Sequence, residues 1–255
     1  MKQFLWNIIV SSSVVIPAKI RHLICRILFA VESRRNSPQG VKDLFLLNDA
    51  LMFQLNDAAI RCDGGIHPKV RFMRYHEYFA SKVKYGEKVM DVGCGYGFVA
   101  QCIAQTGADV IGVDIDGERI RYAQEHFSHP NCRFILGDAT KNDIQGKVDI
   151  IVLSNVLEHL SERSVFLKQL VRNYSPQRFL IRVPCIDRDW TVPLRKELGI
   201  LYFRDPDHKV EYTMESLREE LTQALLSIKE SRVNWGEIWA EVIPSACCSS
   251  ETRMS

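Results

Sequence analysis

The stretch "VMDVGCGYGFVA", Val89–Ala100, decides how this chain is read. An apolar run ends in Asp91, glycines follow at alternate positions, Gly93, Gly95 and Gly97, and a helix-forming pattern begins directly behind them. A buried strand that breaks into glycines and then a helix makes a turn through which backbone can approach a bound molecule, because glycine lacks Cβ and tolerates positive φ.

The flanking sequence supplies the frame. A helical pattern over Tyr75–Val83 leads into the strand "KVMDV", then come a helix over Phe98–Thr106 closed by Gly107, the strand "DVIGVD" and a helix from Gly117 to Phe127. The strands "CRFILGD" and "VDIIVLS", a helix over Ser161–Tyr174 with Ser161 as N-cap, and the strand "RFLIRVP" continue the alternation. After an irregular stretch, Asp187–Tyr212, a helix over Met214–Leu226 precedes "LSIKESRV" and "EIWAEVI", a hairpin about the turn "NWG". Continuous apolar strands alternating with helices indicate a parallel sheet covered on both faces. The expected fold is α/β: a Rossmann-like, doubly wound, mostly parallel seven-stranded sheet with a terminal antiparallel hairpin and an N-terminal helical extension.

In such a sheet ligands bind beyond the carboxyl ends of the strands, and the first strand-to-helix turn is the usual cradle. A dinucleotide fingerprint would place its third glycine at position 98, which is Phe98. Two further acids close the next two strands, Asp114 in "IGVDID" and Asp138 in "LGDAT". An acid ending the second strand suits ribose hydroxyls and is shared with nicotinamide enzymes. One ending the third strand fits an adenine amino group and is less expected of them.

With these residues in place the chain resembles class I S-adenosylmethionine-dependent methyltransferases, through "VMDVGCGYG", "GVDID", "GDAT" and "DIIVLSNVLEHL" in that order. The resemblance covers roughly Tyr75 to the final hairpin. "HKVEYTMESLREEL" also looks like the segment after the fifth strand in many small-molecule and glycan methyltransferases. The resemblance implies S-adenosyl-L-methionine as cofactor, with its methionine portion along Gly93, Gly95 and Gly97 and its amino group oriented by Asp91. It gives the ribose hydroxyls to Asp114, adenine to Asp138 and the backbone of Ala139, and places Asn155 toward the methyl-transfer pocket, as a cofactor contact and a catalytic candidate. Asp116 is read as a helix cap, and Cys94 and Tyr96 receive no role.

A sulfonium methyl is already activated, so transfer asks for an in-line nucleophile held close in a site that excludes water. A hydroxyl acceptor gains from a general base, for which histidine has a suitable pKa. His159 in "LEHL" and His208 in "DPDHKVEYT" are the catalytic candidates, each with a structural hydrogen bond as its alternative. His67 and His76, with Arg71, Arg74 and Tyr75, form either a lid or ordinary capping and packing. In "LIRVPCIDRDW", Arg182 and Arg188 either bind an anionic substrate or pair internally with Asp187 or Asp189. Trp235 and Trp239 are assigned to the hairpin core.

Composition sets the remaining bounds. The chain has 255 residues, 46% of them hydrophobic and 25% charged, which supports one main core with a small appendage. The expected division is a helical extension over 1–66, a cofactor-binding domain over 67–244 and a tail over 245–255. A formal net charge of +2 and the lack of a concentrated basic stretch argue against a nucleic-acid partner. Eight cysteines are scattered without metal-ligand spacing, so they are read as reduced, mostly buried thiols in a cytoplasmic protein, and no metal is expected. Cys247 and Cys248 fall in the tail.

The front segment "FLWNIIVSSSVVI" is shorter than the roughly 20 apolar residues that span a bilayer, and no cleavage site follows it. In "AKIRHLICRILFAV", Ile20, Leu23, Ile24, Ile27, Leu28 and Val31 form one apolar stripe, with Lys19, His22 and Arg26 off it. This stripe either touches a membrane surface peripherally or packs on a helix over Val41–Ile60, whose Leu44, Leu47, Leu51, Leu55 and Ala58 match it. "ESRRNSPQG" is read as the linker between them.

The functional expectation is methyl transfer to a small-molecule, saccharide or lipid-linked acceptor. No Asn-Pro-Pro-Tyr type sequence follows the fourth strand; "SNVLEH" stands there. The rivals are a nicotinamide-dependent oxidoreductase, disfavoured by Phe98 and the second acid, and a cofactor-binding protein without turnover.

Overall fold

The computed structural model describes residues 17–141 and 146–245. The apolar segment Phe4–Ile16 and the tail with Cys247 and Cys248 lie outside the described residues. The chain divides into a helical unit reaching to His67, together with Glu197–Ile200, and a larger unit of Pro68–Lys196 and the residues from Leu201 onward.

In the helical unit, α1 (Ala18–Ser33) and α2 (Pro38–Cys62) are joined by Arg34–Ser37. The linker is shorter than expected because Ser37 caps α2, accepting from the Gly40 amide, and Pro38 stands at the first helical position, where its fixed φ suits helix initiation. The two helices meet near this connection, where Gly40 is buried and Arg35 bridges Glu32 and Asp43 at 3.0 and 3.1 Å. They do not bury their stripes on each other: Ile20, Leu23, Ile24, Ile27, Leu28 and Val31 remain 47–56% exposed, and Leu47, Leu51 and Leu55 are exposed too. Packing of one stripe on the other is therefore not what the structure shows. No helix among the described residues is long and apolar enough to cross a membrane.

The larger unit begins with α3 (Lys69–Met73) and α4 (Tyr75–Ser81), separated by Arg74 in the left-handed region. It contains β1 (Lys88–Val92), α5 (Phe98–Ala104), β2 (Asp109–Asp114), α6 (Gly117–His126), β3 (Cys132–Leu136) and β4 (Ile150–Ser154). There follow α7 (Arg163–Tyr174), β5 (Arg178–Pro184), α8 (Thr191–Glu197), α9 (Met214–Gln223), β6 (Leu226–Asn234) and β7 (Glu237–Pro244). The seven strands form one sheet in the order β3-β2-β1-β4-β5-β7-β6. Neighbours from β3 to β5 are parallel, and β7 runs antiparallel to both β5 and β6. This is the doubly wound sheet with a terminal hairpin that the sequence predicts.

The core lies on both faces. One cluster gathers Met90, Ile151, Leu153, Leu167, Leu170, Phe179, Ile181 and Ile238, and the other Phe79, Val89, Ile103, Val110, Phe134, Ile150, Val152 and Trp239. Along β4 and β5 successive residues point to opposite clusters, which is why these strands read as unbroken apolar runs rather than alternations.

Several local readings change. Asp116 caps α6, accepting from the Glu118 and Arg119 amides, as expected. Ser161 does not cap α7, which starts at Arg163 after Glu162. The irregular stretch after β5 contains α8, its first turn fixed by Asp189 accepting from the Thr191 amide at 2.7 Å. Trp239 is buried, whereas Trp235, at the positive-φ hairpin turn, is exposed. Of the six cysteines described, only Cys94 and Cys185 are buried, so the thiols are less enclosed than expected.

Candidate active site

The glycine turn follows β1 at the carboxyl edge of the sheet. Gly93, Gly95 and Gly97 all have positive φ, the region that side chains disfavour. A Cβ on Gly93 would stand 2.7 Å from Val156 Cγ2, so the turn sits hard against the loop after β4. A Cβ on Gly95 would meet nothing within 4 Å.

Asp91 is buried to 1% exposure, and neither carboxylate oxygen has a hydrogen-bond partner of normal geometry. Burial raises its pKa to about 7, the Asp114 charge adds to this, and the Ala100 amide and Arg182 offset only part of it. A buried acid without a partner costs stability unless something cationic or hydrogen-donating binds there.

Asp114 has a structural duty besides any ligand. Its Oδ2 accepts from the Gly95 amide at 2.8 Å and its Oδ1 from the Asp116 amide at 2.9 Å, so it holds the glycine turn in shape. An ionised carboxylate has about four acceptor positions, so two amides leave room for hydroxyl donors. Asp138 is tied to its own loop: Oδ1 accepts from the Thr140 amide and hydroxyl at 2.9 and 2.6 Å, bonds that hold its pKa below the usual range. Ala139 beside it is buried, and its carbonyl accepts from Tyr174.

A second group of polar residues gathers past β4 and β5. Asn155 takes a left-handed conformation, φ 57°, directly after β4, and its Oδ1 accepts from Arg182 Nε at 3.0 Å. Arg182 is buried, stacks on the Tyr75 ring at 3.7 Å, lies 3.4 Å from Glu237, and keeps Nη1 without a hydrogen-bond partner. Its charge is felt by both Asp91 and Glu158. Arg188 pairs with Glu211 and donates to the Cys185 and Tyr202 carbonyls. Both arginines are thus internally paired, with Glu237 and Glu211 rather than with Asp187 or Asp189.

His159 and His208 come together, their rings edge-to-face with centroids 4.9 Å apart. His159 Nδ1 is 3.0 Å from Asp207 Oδ2, and His208 Nδ1 is 3.0 Å from Glu211 Oε1. Burial disfavours the charged form of His208, but the Glu211 hydrogen bond and the charges of Glu158, Glu211 and Asp205 outweigh it and raise its pKa. Glu158 joins them. It is fully buried in the turn Leu157–His159, its carboxylate oxygens have no partner, and burial lifts its pKa to about 7. The segment before α9 covers it, since the Lys209 and Val210 amides donate to the Glu158 carbonyl.

Glu158 stands beside His159 in "LEHL" without a role in the sequence reading, because its burial depends on the distant segment before α9. His76 lies on α4 with a buried, unpartnered Nδ1, apart from the His159–His208 pair, and His67 belongs to the helical unit. A cavity of about 330 Å³ lies at the opposite edge of the sheet, where β1, β2 and β3 begin, and contains none of the site residues.

These features can be set beside known proteins. Residues 89–177 match the family model described as a methyltransferase domain. The match to a methyltransferase domain begins on β1 and takes in the glycine turn, Asp114, Asp138 and Asn155. A ubiquinone biosynthesis O-methyltransferase of Bradyrhizobium diazoefficiens is 31% identical over 107 residues, 41% of this chain and 42% of that protein. A ribosomal protein L11 methyltransferase of Burkholderia vietnamiensis is 35% identical over 114 residues, 44% of this chain and 36% of that one. The chain thus spans about two fifths of the length of the curated relatives it matches. In fold it resembles magnesium protoporphyrin IX methyltransferase from Synechocystis PCC 6803 with bound SAH, at a TM-score of 0.56 and 21% identity over 69% of this chain and 85% of that chain.

Proposed function

We infer that this chain transfers a methyl group from S-adenosylmethionine to a hydroxyl of a small-molecule, saccharide or lipid-linked acceptor. The observation that carries the reading is the unpartnered, buried carboxylate of Asp91 at the foot of a glycine turn whose Gly95 opens onto free space. That pair suits a ligand bringing an ammonium group and lying close along the backbone. Asp91 would hold the amino group, Asp114 the ribose hydroxyls, and Asp138 with Ala139 the adenine. Bound there, S-adenosylmethionine supplies an activated methyl. What remains for the protein is to hold the acceptor oxygen in line and keep water away.

The acceptor site in this reading is the polar group past β4. Asn155 is fixed by Arg182, and His159 and His208 stand where an acceptor proton would be taken. The O-methyltransferase named among the relatives supports an oxygen acceptor. Calorimetric titration with S-adenosylhomocysteine is expected to show one site per chain, and labelled S-adenosylmethionine should pass its methyl to hydroxyl compounds in a screen. No binding to the folded protein would remove the reading. Competition by NADH would move it to the oxidoreductase class, and binding without transfer to any acceptor would leave a cofactor-binding protein.

The exposed stripe on α1, with Lys19, His22 and Arg26 off it, supports a second element of the proposal: a peripheral contact with an anionic membrane surface on the cytoplasmic side. The full chain is expected to float with vesicles containing phosphatidylglycerol and not with pure phosphatidylcholine. Leu23→Glu with Ile27→Glu should abolish flotation without loss of fold, because both positions are exposed. Equal flotation of parent and variant would refute the contact.

A further inference from the structure

We propose that Glu158, His159 and His208 form a binding site for one divalent metal ion of the zinc, manganese or cobalt type, set where the acceptor oxygen is received. The ion site itself rests on the geometry of these side chains; its part in catalysis rests on the methyltransferase reading above.

Each of the three residues offers one ligand atom, and these atoms all lie within 4.8 Å of one another. A small inward movement of side chains brings donors at that spacing to the roughly 2.0–2.2 Å at which nitrogen and oxygen bind zinc. Two imidazoles and a carboxylate are a donor set suited to borderline first-row cations, with coordination positions left for other ligands.

Two further observations point to a ligand rather than to a polar surface. The first is Glu158. Its carboxylate is fully buried, has no hydrogen-bond partner and belongs to the cluster, an arrangement that a cation would complete. The second is the way the imidazoles are held. His208 Nδ1 faces Glu211 at 3.0 Å and His159 Nδ1 faces Asp207 at 3.0 Å, so each ring engages a carboxylate through Nδ1 and keeps Nε2 for another partner. Ligating histidines are generally oriented in this way, by a carboxylate on the nitrogen away from the metal. Glu211 is itself fixed by Arg188 and by the Arg204 amide, so the support extends one layer further.

A second grouping, Asp205, Asp207 and His208, shares one histidine with the first. Its acids are exposed, so water can satisfy them, and Asp207 is already engaged with His159. The grouping with the buried glutamate is the one proposed.

The sequence reading expects no metal because it looks for cysteine spacing. His159 and His208 are far apart in the chain, and it is the segment before α9, bonded to the Glu158 carbonyl, that brings them together. With the ion bound, His159 and His208 would serve as ligands in place of bases: a bound acceptor hydroxyl would have a lowered pKa and give its proton to solvent, and its oxygen would bond to the methyl carbon as the carbon–sulfur bond breaks and S-adenosylhomocysteine leaves.

The test is a titration of the metal-free, untagged full chain with Zn²⁺ against a chromophoric chelator, repeated with Co²⁺ by visible absorption. One tightly held equivalent is expected. Glu158→Gln and His208→Asn should lose it, and Glu211→Gln should weaken it by about 10–100-fold through loss of orientation. Near-ultraviolet circular dichroism checks the fold, and Glu158→Gln keeps the shape of the side chain. Zn²⁺ uptake unchanged in these variants would overturn the proposal, since the exposed Cys25 and Cys62 would then account for it. Absence of uptake by the folded parent would overturn it too. S-adenosylhomocysteine titrated into the same samples separates the two claims. Cofactor binding without metal binding refutes only the ion site, and metal binding without cofactor binding refutes only the methyltransferase reading.

Discussion

Asp91→Asn is expected to give a protein that is more stable than its parent and that no longer holds S-adenosylhomocysteine. The carboxyl is buried without a hydrogen-bond partner, and its pKa stands at about 7 against an ordinary 3.8. A folded-state pKa raised for an acid means that the native protein binds more protons than the unfolded chain between those values, so stability falls as pH rises through that window. There is no cost below about pH 4, and the full cost holds above about pH 7; a shift of this size corresponds to about 4 kcal/mol. The amide of asparagine and the protonated carboxyl bear a similar desolvation cost as neutral polar groups, so the net gain at pH 8 is expected at up to about 4 kcal/mol. Urea unfolding at several pH values checks this: the curves of parent and variant should lie together near pH 4 and separate up to about pH 7. In the parent, S-adenosylhomocysteine should bind more tightly as pH rises over the same window, because its ammonium group needs the ionised acid. The variant should lose both this dependence and at least about 100-fold in affinity, the equivalent of about 2.7 kcal/mol. A variant that is destabilised at every pH, with cofactor affinity intact, would show that Asp91 serves the fold and not the ligand.

The frame was legible because its signals are local. The strands "KVMDV", "DVIGVD" and "RFLIRVP" have the bounds that the sequence suggests, since each is an apolar run bounded by polar or glycine residues. The helix over Thr191–Glu197 was not legible: it is short and contains Pro193, so only tertiary placement decides it. The site divides in the same way. Asp91 and Asp114 stand at the carboxyl ends of β1 and β2, and the glycines and Asp138 come just after β1 and β3, where the pattern of the chain fixes them. The pairing of Arg182 with Asn155 and Glu237, and the burial of Glu158 beneath the segment before α9, depend on residues distant in sequence. No periodicity announces a buried glutamate whose carbonyl is bonded by a segment some fifty residues further along the chain, about the span from Glu158 to Lys209. The apolar stripe of α1 shows the converse, a strong local signal whose matching stripe on α2 does not cover it.

Alanine at each of the three glycines is expected to separate ligand contact from turn geometry. At Gly97, φ 86°, the new Cβ would stand 2.8 Å from two ring atoms of Phe134 and 3.0 Å from Ala123 Cβ. Left-handed strain of about 1–2 kcal/mol and overpacking of about 1–3 kcal/mol combine there, so Gly97→Ala should lose both stability and cofactor binding. Gly93→Ala should behave similarly, its Cβ meeting Val156 Cγ2 at 2.7 Å with φ 69°. Gly95 is the informative position. Its φ of 53° imposes the same modest strain, but its Cβ would project into open space. Gly95→Ala should therefore cost only about 1–2 kcal/mol in urea unfolding. If the methionine portion of the cofactor runs over this turn, the same methyl group occupies the ligand's place, and S-adenosylhomocysteine affinity should fall by more than about tenfold, or about 1.4 kcal/mol. A large loss of binding in Gly95→Ala beside a small loss of stability places the ligand on the open side of the turn. Full binding in Gly95→Ala would instead mean that the open space beside Gly95 belongs to solvent, and that the buried acid beneath it must be satisfied by a different ligand.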